Sequence, residues 1–223
     1  MTNPSPLYAD KPMDYFSGAR QDMVAALPPD ANAAVLELGC GDGHTGALVR
    51  SANKAAYYVG IELDAAAASR ARNQLSDVIM GDIASLNLTA HYGRYDALIA
   101  SEVLEHLVDP WAALIKLAAC LKPGALILAS SPNIAHWRVI AGLMRGTFKH
   151  TETGVMDRSH LRWFTPESYA DLFRSAGFVV EQVRPITPPA RRTRWINMIT
   201  GNRLAHLFMT QIYLIARKPP YLS

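Results

Sequence analysis
The chain has 223 residues, half of them hydrophobic and 18% charged, with a formal charge of +3; this suits one ordinary soluble domain with room for a full core. No apolar run reaches the roughly 18 residues that span a bilayer, and the polar start MTNPSPLYADKP lacks a signal peptide's apolar centre, so a cytoplasmic location is expected. Cys40 and Cys120 have no CxxC spacing, which argues against a disulfide framework or a cysteine zinc site, and the mild basicity is too weak to imply nucleic acid.

In chain order, MDYFSGAR leads into a helix pattern carried by Met23, Val24 and Leu27, an N-terminal helical cover over residues 1–30. Short apolar runs then alternate with helical patterns. The runs are Ala33 to Leu38, Tyr57 to Ile61, Val78 to Met80, Tyr95 to Ala100, Ala125 to Ser130 and Phe178 to Val183. Such alternation predicts an α/β domain with a mostly parallel sheet and helices on both faces. Asp109-Pro110 and Thr165-Pro166 are N-cap and first-turn pairs, and Gly177 ends the second of these helices. A last strand is expected in FMTQIYLIARK, with no clear helix between it and the strand before. Residues 133–162 and 185–206 fall outside the alternation and are too long for plain connections, which predicts substrate-side insertions in a single domain spanning 1–223.

The first strand runs into VLELGCGDG, whose Gly39, Gly41 and Gly43 place backbone N–H groups and a helix start above the sheet edge. A P-loop would need a GK[ST] ending and a dinucleotide fingerprint GxGxxG, and neither is present. Glu37 and Asp42 would also repel a pyrophosphate, so the ligand is better cationic or zwitterionic. Glu62 ends the next strand about 20 residues on, where an acid can accept both hydroxyls of a ribose. In GDI, Asp82 suits an adenine amino group while Ile83 packs on the ring. A nucleoside with a positive amino-acid-like end is S-adenosylmethionine.

From about Val35 to Val183 the chain resembles the class I S-adenosylmethionine-dependent methyltransferases, on VLELGCGDG, VGIELD, GDI, YDALIASEVLEHL and LKPGALIL. The resemblance implies a Rossmann-like, seven-stranded sheet with its last strand antiparallel. It also implies a cofactor site in which Glu37 and the Gly39 to Gly43 backbone face the methionine end, Glu62 the ribose, and Asp82 with Ile83 the adenine. Cys40, Leu63, Ser101 and Glu102 complete that set.

For the acceptor, a hydroxyl must lose a proton, and histidine, with a reference pKa near about 6.5, is the usual base. The candidate catalytic residues are His106, His160 and Asp157, the last two equally readable as a hydrogen-bonded pair that staples the loop. EVLEHL holds Glu102, Glu105 and His106, which share one face if the stretch is a helical turn; with His160 they form a donor set for a divalent cation. This ExxEH pattern is similar to that of metal-using small-RNA end-methylating enzymes and quinone-biosynthesis O-methyltransferases. Similar stretches occur without metal, and the expectation here is no metal, with His106 lining the pocket.

The segment SPNIAHWRVIAGLMRG looks like the MetW family, which leaves open a non-catalytic regulator that binds the cofactor. DRSHLRWFTPESYADLFRSAGF looks like methyltransferases of glycosylation pathways and favours a small-molecule acceptor such as a sugar, with Asp157, His160 and Arg162 facing it. Arg138, Arg145 and Lys149 could meet an anionic group on that acceptor, and Trp137, Trp163, Trp195, Phe148 and Met144 could either roof it or form local core. RRTRWINMI could meet a membrane or an anionic partner. The expected partner is a small molecule, with no nucleic acid and no transmembrane segment, and a homodimer is left open.

Overall fold
The computed structural model describes residues 18–188 and 191–220. Seven strands form one sheet: β1 (Ala34–Leu38), β2 (Tyr57–Glu62), β3 (Asp77–Met80), β4 (Tyr95–Ser101), β5 (Leu121–Pro132), β6 (Val179–Pro185) and β7 (Gln211–Arg217). Their order is β3-β2-β1-β4-β5-β7-β6, and β7 runs antiparallel to both of its neighbours. The α-helices among the described residues are α1 (Gln21–Ala26), α2 (His44–Ser51), α3 (Ala65–Ala71), α4 (Pro110–Cys120), α5 (Trp137–Met144), α6 (Pro166–Ser175) and α7 (Arg191–Ile199). This is the Rossmann-like class I methyltransferase architecture that the sequence leads one to expect.

Strand residues alternate between two buried layers, as a sheet covered on both faces requires. Leu36, Leu38, Val59, Ile61 and Leu98 enter one core, whereas Val35, Tyr58, Ala97 and Ile99 enter the other. The helix starts follow their caps: Asp109 Oδ1 accepts from Ala112 N at 2.9 Å ahead of Pro110, and Thr165 and Ser168 close a capping box ahead of Pro166. Gly177, at φ +85°, supplies the left-handed residue after α6.

Two details depart from expectation. β5 begins at Leu121 rather than near Ala125, because Leu121 already pairs with Tyr95 ahead of an irregularity in the β4 register. A helix, α7, does lie between the last two strands: Trp195, Met198 and Ile199 recur at helical spacing even though prolines crowd its approach.

Sheet order reverses between β1 and β4, and ligands of such folds sit at the strand C-termini of that switch point. The close approach that shapes it is at Gly60, where a Cβ would lie 2.3 Å from Cys40 Sγ and 2.7 Å from Cys40 Cβ. Gly60→Ala is therefore expected to destabilise the fold by about 1–3 kcal/mol and to displace the glycine loop. Thermal unfolding would check this, and an unchanged melting temperature would contradict it.

Candidate active site
A cleft of about 710 Å³ opens at the C-terminal ends of β1, β2 and β4. Its first half is the glycine loop. Gly39 N and Cys40 N both donate to Ile61 O, at 2.8 and 3.2 Å, tying the loop to β2. Gly39 has φ +69°, and a Cβ there would lie 2.9 Å from Val103 Cγ2, so the backbone itself forms the cleft wall. Gly43 does not line the cleft. Its φ of +85° starts α2 in the left-handed region, and its hydrogen-only side packs on Ala71 and Leu75.

Three carboxylates near this loop have separate tasks. Glu37 is buried on the cleft wall, where Tyr58 donates its phenolic hydroxyl to Oε2 at 2.8 Å. Burial pushes its carboxyl up to about 8, and Glu62 adds to the rise against the Tyr58 hydrogen bond. Glu62 Oε2 accepts from Gly41 N at 2.8 Å and Oε1 from Asp64 N at 2.9 Å, so the acid that ends β2 also fixes the glycine loop. Each oxygen retains lone-pair capacity toward the cleft it lines. Asp42, by contrast, is turned to Arg70, which donates from Nε at 2.8 Å and approaches from Nη2 at 2.7 Å. Only Glu37 supports the sequence argument that paired acids repel an anionic ligand here; Asp42 has its own cation.

Asp82 and Ile83 line the far wall. Asp82 is exposed and its Oδ1 accepts from Ala84 N at 2.9 Å, Ile83 is buried, and Leu63 presents an exposed apolar side chain to the same cleft. Opposite them, Arg20 donates to both oxygens of Asp22, at 2.9 and 2.7 Å, to Ser101 Oγ and, at 2.8 Å, to Ser130 Oγ. It thereby ties the residues before α1 to the ends of β4 and β5. Tyr15 and Phe16, expected in the same cover, lie outside the described residues.

The other half of the cleft lies beyond Ser101. Glu102 has φ +50°, unusual for a residue with a side chain, and its buried Oε1 has no hydrogen-bond partner among the described residues. Because β4 runs straight into this left-handed residue, EVLEHL is not one helical turn. Only Leu104–His106 forms a 3-10 turn, so Glu102 does not share a face with Glu105 and His106. What converges instead is Glu105, His106 and His160, with one donor atom from each within 4.8 Å of the others. The ring centroids of His106 and His160 are 4.8 Å apart, edge to face.

The loop bearing His160 is held there by Leu161 N and Arg162 N, which donate to Glu105 O at 2.8 and 3.0 Å. His106 Nδ1 lies 3.1 Å from Ser159 O and His160 Nδ1 3.1 Å from Val155 O. A carbonyl only accepts, so in each neutral ring Nδ1 carries the hydrogen and Nε2 the lone pair. Glu105 is fully buried; Ser131 Oγ donates to its Oε2 at 3.2 Å, and Oε1 lacks a partner among the described residues. Burial, with Glu102 nearby, pushes its carboxyl well above the usual range.

Residues 14–183 match the family described as "Methyltransferase domain". The chain belongs to that family. It is 30% identical over 149 residues to a probable S-adenosylmethionine-dependent methyltransferase of Mycolicibacterium smegmatis, covering 66% of this chain and 52% of that protein, so it spans about half of that relative's length. It is 27% identical over 188 residues to a ubiquinone biosynthesis O-methyltransferase of Thiobacillus denitrificans, covering 79% and 78%. The solved structure of an S-adenosylmethionine-dependent methyltransferase from Archaeoglobus fulgidus has the same fold, with a TM-score of 0.64, 20% identity and coverage of 92% and 97%. The cofactor of this methyltransferase is S-adenosylmethionine.

Several residues expected at the acceptor lie elsewhere. Arg162 does not line the cleft: its Nη2 donates to Val108 O at 2.6 Å and staples the loop. Asp157 does line it, but its Oδ1 accepts from Ser159 N and Oγ, at 2.8 and 2.7 Å, and shapes the turn that carries His160. None of the five aromatic and methionine residues expected as a roof lines the cleft. Trp163 meets Phe148 edge to face at 5.7 Å in a local cluster, and Arg138 sits 5.5 Å over the Trp137 ring. The lining also includes Thr45, Ile186, Thr210 and Gln211, which carry no motif. Gln211 Nε2 donates to Glu102 Oε2 at 3.3 Å, a contact 109 residues long that only the antiparallel return of β7 creates.

Proposed function
We propose that this protein moves the methyl group of S-adenosylmethionine to a hydroxyl of a small-molecule acceptor, a sugar or a glycosylated natural product. The observation that carries the reading is the meeting of the His106 and His160 rings at the end of the cleft, with both Nδ1 atoms against carbonyls. An Nε2 lone pair in that place suits removal of the acceptor's proton.

In this reading Glu37 takes the cofactor's ammonium, the Gly39–Gly41 backbone its carboxylate end, Glu62 the ribose hydroxyls, and Asp82 with Ile83 the adenine. When bound, the cofactor supplies an electrophilic methyl group on a sulfonium that departs as a neutral thioether. The protein's share is positioning and water exclusion: Glu105 and His160, both buried, line the far end, and His106 or His160 accepts the proton lost as the new C–O bond forms. The likeness of DRSHLRWFTPESYADLFRSAGF to methyltransferases of glycosylation pathways supports a sugar, and the quinone-pathway relative supports oxygen as the methylated atom.

A second reading has its own observation. Glu105, His106 and His160 each bring one ligand atom within 4.8 Å of the others, a carboxylate-plus-imidazole set suited to a divalent transition metal, and the carbonyls against both Nδ1 atoms are the outer hydrogen bonds that orient such ligands. Glu105, His106 and His160 would hold the ion, which would supply Lewis acidity to the acceptor oxygen. One experiment separates the readings: the methyl-labelled cofactor with a panel of glycosides, sugar nucleotides and phenols, with and without a chelator. Label on one class regardless of chelator is expected. Chelator-sensitive transfer selects the metal reading, and cofactor binding with no transfer to any acceptor selects the regulator.

A further inference from the structure
The two insertions hold a surface that the cleft does not use. Helix α5 buries none of its residues: Met144 is 84% exposed, and Trp137, Ile140 and Leu143 are exposed as well. On α7, Trp195 is 66% and Ile199 74% exposed, and Met198 is exposed beside them. Apolar residues spread singly over a surface need no explanation, but two helices that each expose several large apolar side chains do.

Both segments rise from the same edge. β5 ends where the first begins, and the second joins the end of β6 to the start of β7. Asn133 stitches their bases together, donating from Nδ2 to His206 O and Met209 O, each at 2.7 Å, while its N–H donates to Thr210 O at 3.0 Å. Val155, Ile186 and Thr210 from these segments line the cleft, so the segments that carry the two helices also reach the site.

Charge decides what fits. Residues 133–151 contain Arg138, Arg145 and Lys149 and no acid, and residues 186–206 contain Arg191, Arg192, Arg194 and Arg203 and no acid. With +7 in these segments out of a total of +3, the rest of the chain stands at −4. The chain's positive excess is thus confined to the two segments that expose apolar helices.

We infer that this face docks the protein on an anionic lipid bilayer. Short helices that expose tryptophan and aliphatic residues in segments rich in Arg or Lys lie in the headgroup region, where apolar burial and attraction to acidic lipids add. A nucleic acid fits less well, because Trp137 and Trp195 stand among the aliphatic and methionine side chains Ile140, Leu143, Met144, Met198 and Ile199, which prefer burial in an apolar medium to contact with bases. The inference does not depend on the acceptor's class.

The test is flotation of the full chain with phosphatidylcholine vesicles containing phosphatidylserine, against phosphatidylcholine alone. Retention on the anionic vesicles, released by salt, is expected. Met144→Asp combined with Ile199→Asp should lower it about tenfold or more, and Arg145→Ser and Arg203→Ser roughly fivefold each, with S-adenosylmethionine affinity unchanged as the check on folding. Absence of wild-type retention, or retention indifferent to phosphatidylserine, would overturn the inference. So would variants that keep vesicle binding but lose an RNA oligonucleotide or self-association instead.

Discussion

Replacing Glu37 by glutamine should weaken S-adenosylmethionine binding roughly 10- to 100-fold, the loss expected when a buried charge-assisted hydrogen bond becomes a neutral one. The substitution keeps the shape of the wall and leaves Tyr58 an oxygen to donate to, so it tests the charge alone. It also has a pH signature. In the unliganded protein burial holds the Glu37 carboxyl up at about 8, against an ordinary value of 4.5, so the folded state binds a proton there more tightly than the unfolded chain does. Stability from this group is fully present below the ordinary value and is lost as pH rises toward about 8. Glu37→Gln should therefore melt higher than wild type near pH 8 and lose the difference in mild acid. A cationic ligand favours the ionised carboxylate, so wild-type binding near neutral pH should release a proton that the glutamine variant does not. Calorimetry in buffers of different ionisation enthalpy measures this. Equal proton release in both proteins would remove Glu37 from the cofactor's ammonium.

The second large effect is at His106. His106→Ala should lower the rate of methyl transfer about 100- to 10,000-fold while leaving cofactor affinity near that of wild type, because the ring stands beyond the glycine loop, at the acceptor end. Ser159→Ala, which keeps the carbonyl that fixes Nδ1 and removes only the hydroxyl bound to Asp157, should cost far less. A single-turnover rate with a hydroxyl acceptor, alongside a cofactor titration, separates the two quantities. Loss of cofactor binding in step with rate would make His106 part of the fold rather than of the reaction.

Local patterns read well in this sequence, and long-range closures did not. The strand runs, the Asp109 and Thr165 caps and the glycine loop follow from neighbouring residues, because each reports a backbone conformation set within a few positions. Glu62 was visible as an acid at a strand end, but its bonds to Gly41 and Asp64 were not, since they depend on how β1 and β2 lie side by side. Asp42 reads in the sequence as a second acid for the ligand, but Arg70, 28 residues on, lies against it. Glu102, Glu105 and His106 share a face only on a helical turn, and the left-handed backbone at Glu102 prevents one. The approach of His160 to His106 depends on amide bonds from Leu161 and Arg162 to Glu105 O, which no periodicity reports. Gln211 carried no signal at all, being the first residue of a strand that returns to the cleft from the far end of the chain.

The decisive experiment is transfer from S-adenosylmethionine labelled with carbon-13 at the methyl group, followed by nuclear magnetic resonance of the product. A methoxyl carbon on a sugar or other small hydroxyl compound is expected with wild-type protein, and none with His106→Ala. Label on nitrogen or carbon, or no product from a protein that binds the cofactor, would contradict it.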